Sequence, residues 1–157
     1  MNIRGLVAGA CGRLCVGQWG ELTVVGGEKH RVLVVDDEPV IADTLALIFS
    51  RSGYQGRAAY SAEEALVLIP EWRPELAILD VYLPKMNGIE LAIWMKAEYP
   101  ECRVSLFSGQ PGAGDLLAAA GHKFEILAKP MHPSEILGVA SRLLRSSPDD
   151  RAGSLAN

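Results

Sequence analysis

Four short apolar runs limit this chain more than anything else in it. They are Val32-Leu33-Val34-Val35, Leu76-Ala77-Ile78-Leu79, Val104-Ser105-Leu106-Phe107 and Phe124-Glu125-Ile126-Leu127-Ala128, with a weaker strand signal at 54–60 between the first two. Runs this apolar do not alternate as a half-wet strand must, so they read as strands buried on both faces. Helical spacing fills the gaps between them. Ile41, Leu45 and Ile48 form one stripe, and Ala62, Ala65, Leu66 and Ile69 form another, behind a capping signal from Ser61 with Glu64. The segment 89–99 is helical up to Pro100, 114–120 is a short helix stopped by Gly121, and a last helix with Ser134 as its cap turns Ile136, Val139, Ala140 and Leu143 inward. Pro70 and Pro74 should end the second helix. Five strand–helix alternations of this kind predict an α/β fold, a doubly wound parallel sheet of five strands with helices on both faces.

The residues that end the strands are chemically unlike the strands themselves. Asp36-Asp37 closes the first run, Asp80 the third strand, Ser108 the fourth and Lys129 the fifth. Open parallel sheets bind ligands outside the carboxyl ends of their strands, so these groups can converge although the sequence holds them far apart. Taken singly, an Asp-Asp before a helix is an N-terminal cap, a Ser-Gly is a turn and a Lys-Pro is surface punctuation. Independent caps and turns have no reason to fall at the ends of four core strands.

In these positions the chain resembles the receiver domain of bacterial two-component response regulators. Val-Asp-Asp-Glu-Pro at 35–39, Leu-Asp-Val-Tyr-Leu-Pro-Lys-Met-Asn-Gly at 79–88, Ser108-Gly109 and Lys129-Pro130 carry the resemblance, in order, across nearly all of 31–145. It implies a flavodoxin-like sheet of order 2-1-3-4-5, a phosphoacceptor at Asp80, a direct Mg²⁺ ligand at Asp37, Asp36 acting on the metal mainly through water, and the Tyr82 backbone carbonyl completing the protein's share of the shell. Lys129 and Ser108 would each bind a phosphoryl oxygen, and Pro130 would follow a cis peptide bond.

The same chemistry follows from the residues. Three carboxylates at one sheet edge repel, which raises at least one pKa unless a cation intervenes. A hard divalent ion such as Mg²⁺ suits such donors, and a carboxylate can accept a phosphoryl group when charge on the transferring oxygens is neutralised. One position departs from the family pattern. Receivers usually carry Tyr or Phe three residues before the lysine, and here Ile126 stands there, so relay through an inward-swinging ring is not expected.

Composition bounds the rest. The 157 residues, 49% of them hydrophobic, suffice for a real core, and no apolar run approaches the ~20 residues of a membrane span. A net charge of −4 without a basic stripe argues against a nucleic-acid partner, and three cysteines are too few for a disulfide framework, which favours a reducing, cytoplasmic setting. Residues 1–29 are glycine-rich and aperiodic, which predicts a loose arm, and 146–157 form a polar tail, leaving 30–145 as the receiver. An export signal around 4–11 and a metal site from Cys11, Cys15 and His30 are both poor fits.

About a dozen residues follow the last helix, so the expectation is a stand-alone receiver, a signalling domain rather than an enzyme. It would be fed by a sensor histidine kinase or phosphotransfer protein and read by an unknown downstream protein. Ile93 and Trp94 are a candidate contact patch on the third helix, unless they fold back onto their neighbours. The competing reading is a phosphorylation-independent interaction module with a vestigial acidic pocket. An aspartyl phosphatase would want a second acid two residues after the nucleophile, where Tyr82 stands.

Overall fold

A computed structural model of the protein describes residues 15–16, 22–23 and 28–146. Five parallel strands form the central sheet: β1 (Arg31–Val35), β2 (Gln55–Ala59), β3 (Leu76–Asp80), β4 (Arg103–Ser108) and β5 (Glu125–Ala128). Their order is β2-β1-β3-β4-β5, as expected. Helices α1 (Pro39–Arg51), α2 (Ala62–Trp72), α3 (Gly88–Glu98), α4 (Ala113–Ala119) and α5 (Pro133–Arg145) alternate with them.

The inner strands divide their side chains between two cores, because successive residues point to opposite faces. Leu33, Val35, Ala77, Leu79 and Leu106 face α2, α3 and α4. Val32, Val34, Leu76, Ile78 and Phe107 face α1 and α5. Strand β3 is buried at all five positions. Sitting centrally, it can afford no polar side chain until its last residue, Asp80.

Backbone pairing runs one residue past the strands and so fixes the site. The N–H of Asp36 donates to the Ala59 carbonyl, that of Val81 to Phe107, and that of Lys129 to Ser108. Three of the chemically distinct segments are thereby locked to neighbouring strands by the sheet itself.

Helix boundaries differ from the sequence reading in three places. Pro70 lies inside α2, which ends two residues later with Arg73 in the left-handed region at φ 51°. In the last turn the N–H that proline lacks costs one bond and no continuation. The cap of α5 is His132 rather than Ser134: Pro133 takes the first helical position, and the His132 ring accepts from the Ser134 N–H while the Glu135 side chain accepts from His132 N–H. The Asn87–Glu90 capping box that opens α3 went unread in the sequence.

Most of the expected arm, 1–29, and of the tail, 146–157, lies outside the described residues, Cys11 included. Within the arm, Cys15–Val16 and Leu22–Thr23 pair as a two-residue antiparallel ladder. No helix among the described residues is long and apolar enough to cross a membrane.

Candidate functional site

The sheet brings Asp36, Asp37 and Asp80 together, with one carboxylate oxygen from each lying within 4.8 Å of the others. Asp36 and Asp80 are buried and Asp37 is exposed. Lys129 enters from β5: its Nζ donates to Asp36 Oδ2 at 2.6 Å and stands 3.2 Å from Asp80 Oδ2. The stem of Lys129 passes Gly109, and its ammonium lies 5.0 Å from the centre of the Phe107 ring.

Each acid is also held from its own side. Asp36 Oδ1 accepts from the Glu38 N–H at 2.9 Å, and Asp80 Oδ1 accepts from the Tyr82 N–H at 3.1 Å. The capping reading of the Asp-Asp pair is therefore half right, since Asp36 does engage the backbone just ahead of α1. Its other oxygen belongs to the lysine.

The electrostatics follow from this crowding. Burial lifts the Asp80 carboxyl above the usual carboxylate range; the Tyr82 N–H and Lys129 oppose the lift, and the Asp36 charge adds to it. Burial works against the Lys129 charge too. There the hydrogen bond to Asp36 and the attraction of both carboxylates prevail, so the ammonium is held above the ordinary lysine range. Three carboxylates against one ammonium leave a surplus of negative charge and a set of hard oxygen donors. The residues present fit a hard divalent cation such as Mg²⁺.

Ser108 is buried at the neighbouring strand end, but its hydroxyl is spent within its own loop, accepting from the Gln110 N–H and donating to the Gln110 carbonyl. Tyr82 sends its hydroxyl toward the Pro111 carbonyl at 3.5 Å, across to the same loop. The Lys129-Pro130 bond is cis, as the resemblance implied. Ile126 is partly buried against the α2–α4 core. Ile93 and Trp94 are partly buried against that core as well, with Trp94 tilted onto Tyr99 at 5.5 Å, so the patch has folded back onto its neighbours. Phe107 beneath the lysine was missed by sequence reasoning, which marked it only as strand.

A family profile described as response regulator receiver domain matches residues 32–141. The chain belongs to that family. This receiver is 33% identical over 120 residues to the nitrogen assimilation regulatory protein NtrX of Azorhizobium caulinodans, covering 74% of this chain and 26% of NtrX. It is 29% identical over 128 residues to the DNA-binding response regulator MtrA of Mycolicibacterium smegmatis, covering 82% and 56%. Among solved structures, a CheY-like receiver domain protein from Methanospirillum hungatei superposes with a TM-score of 0.67 at 28% identity, covering 74% of this chain and 94% of that one.

The chain thus spans about half or less of the curated relatives it matches. One expectation is corrected by them. The absence of a nucleic-acid partner, argued from net charge, is overturned by a relative that is itself a DNA-binding response regulator. Average charge describes the receiver's own surface and carries no information about where the output of such a receiver is delivered. The receiver family is one of signalling domains, in agreement with the expectation that this is no conventional enzyme.

Proposed function

We propose that this receiver is a phosphorylation-dependent switch of a two-component phosphorelay, with Asp80 as the phosphoacceptor. The observation that carries the reading is the meeting of three carboxylates within 4.8 Å, with Lys129 set between Asp36 and Asp80. Mg²⁺, held by Asp36, Asp37, Asp80 and the Tyr82 carbonyl, would neutralise charge on the oxygens of the transferring phosphoryl group.

The protein's own groups do the rest. An Asp80 carboxylate oxygen attacks the donor phosphorus, forming an O–P bond as the donor's P–N or P–O bond breaks. The electron pair departs with the leaving nitrogen or oxygen, which takes up a proton. Lys129, now paired with an Asp80 oxygen, is placed to exchange that contact for a phosphoryl oxygen. Ser108 would give up Gln110 to bind another.

The phosphodonor in this reading is a sensor histidine kinase or phosphotransfer protein, the setting is cytoplasmic, the working unit is 30–145, and the immediate reader is a protein. By analogy with MtrA, the regulated process ends at DNA. With acetyl phosphate or phosphoramidate and Mg²⁺, intact-mass measurement should show one added phosphoryl group on the wild type and none on Asp80→Asn. An Asp80→Asn protein labelled as fully as the wild type would remove Asp80 from the role.

A further inference from the structure

Among the described residues, two glycines stand where a Cβ would collide with backbone. A Cβ on Gly88, the first residue of α3, would lie 1.9 Å from the Asp80 carbonyl oxygen, 2.8 Å from its carbon and 3.2 Å from the Val81 Cα. A Cβ on Gly56, in β2, would lie 2.1 Å from the Ala46 carbonyl oxygen, at the crossing with α1. Both contacts are backbone on backbone, and neither can be relieved by a rotamer. They differ in what they touch. Gly56 rests on the middle of a helix, whereas Gly88 rests on the peptide unit that carries the phosphoacceptor.

Gly88 is tied there by more than proximity. Its N–H donates to the Val81 carbonyl at 3.0 Å, so the turn from 81 to 88 closes on itself directly behind Asp80. The Asn87–Glu90 capping box holds the first turn of α3 in that position from the other side. One peptide further along, the Tyr82 N–H donates to Asp80 Oδ1. The Asp80–Tyr82 backbone is therefore clamped between Gly88 and its own carboxylate.

We infer that Gly88 is a positioning residue for the acid site: by admitting only a hydrogen against the Asp80 carbonyl, it sets where the Asp80–Tyr82 backbone stands and hence where the Asp80 carboxylate meets Asp36, Asp37 and Lys129. A methyl group in its place must push either α3 or that backbone away, and because the Gly88 N–H is bonded to the Val81 carbonyl, a shift of α3 pulls on the same backbone. The inference rests on the reading of Asp80 as phosphoacceptor and adds a residue that touches neither metal nor phosphoryl group.

Gly56→Ala supplies the control, because it inserts an equally severe backbone clash remote from the acids. In the full chain, both Gly88→Ala and Gly56→Ala should lower the urea midpoint. Only Gly88→Ala should shift the amide resonances of residues 80–82 in metal-free protein, and only it should slow phosphorylation by phosphoramidate, by on the order of tenfold to a hundredfold in protein that is folded by its amide spectrum. Gly88→Ala with unshifted 80–82 resonances and the wild-type rate would overturn the assignment, as would equal slowing by Gly56→Ala.

Should Gly88→Ala fail to fold, the wild type decides. Addition of beryllofluoride and Mg²⁺ should move the Gly88 α-proton resonances strongly and those of Gly56 little, and an unmoved Gly88 would refute the contact. A wild type that takes neither phosphoryl group nor beryllofluoride would instead sink the phosphoacceptor reading, while exchange of the Gly88 amide in the metal-free wild type would still test Gly88: slow exchange supports its hold on the turn behind Asp80 and fast exchange overturns it.

Discussion

The two ends of the sheet carry similar charges and spend them differently. At the carboxyl ends of the strands, Lys129 pairs with Asp36 and Asp80 where the side chains are 17%, 1% and 9% exposed. At the amino ends, His30 Nδ1 lies 2.9 Å from Glu75 Oε1, with 52% and 40% exposed, and Arg73 lies 3.9 Å from Glu101 with both well in solvent. Distances alone would rank the lysine site and the histidine pair nearly alike. Burial separates them, since an exposed pair is screened and contributes little while a buried one leaves a stranded charge whenever a partner is lost. Loss of a partner therefore costs little at the amino ends, whereas loss of Lys129 at the carboxyl ends strands two buried carboxylates.

That contrast can be broken most directly at Lys129. Lys129→Met in metal-free buffer at neutral pH should cost about 3–5 kcal/mol by urea unfolding, because Asp36 and Asp80 keep their burial and lose their counter-charge. A loss no greater than that of the exposed pairs would end the comparison.

Asp80 gives the sign of the pH dependence. Its pKa is raised in the folded protein, by burial first, so its ionised form is disfavoured on folding. The contribution is fully present below the unfolded-state pKa and is lost as pH rises through the folded one. Asp80→Asn should therefore raise the metal-free urea midpoint at neutral pH, with the gain shrinking toward acid pH. A variant less stable than wild type across that range would show that the Lys129 and Tyr82 contacts outweigh the burial.

The smallest effect belongs to the other end. Burial would raise the Glu75 pKa, but the His30 ring and the Arg31 N–H more than offset it, so the group sits below its usual range. Its contribution is present above the unfolded-state pKa and lost as pH falls through the folded value. Glu75→Gln should cost below about 1 kcal/mol at neutral pH and less still in high salt.

How much of this was legible in the sequence depends on range. Asp36, Asp80 and Lys129 were legible because each ends an apolar run, and burial of such a run on both faces dictates a parallel sheet that gathers its ends. Caps were less so. Ser134 looks like a cap by residue type, yet Pro133 fixes the helix start one residue earlier and hands the role to His132. Trp94 read as surface because α3 is apolar nearly all round and offers no clear stripe, while in the fold Tyr99 lies within reach to cover it. Gly88 was part of a quoted motif, but its contact with the Asp80 carbonyl joins two backbones with no side chain to announce it.

Lys129 and Asp36 are 93 positions apart in the chain. During synthesis all three acids leave the ribosome before the lysine does. A nascent chain that has made β1 and β3 but not β5 holds a cluster of like charges at a sheet edge with nothing to balance it, and contacts of such long range form late in any case. The acids therefore gain their counter-charge only when β5 docks, so the balanced site is the last part of the sheet to be completed.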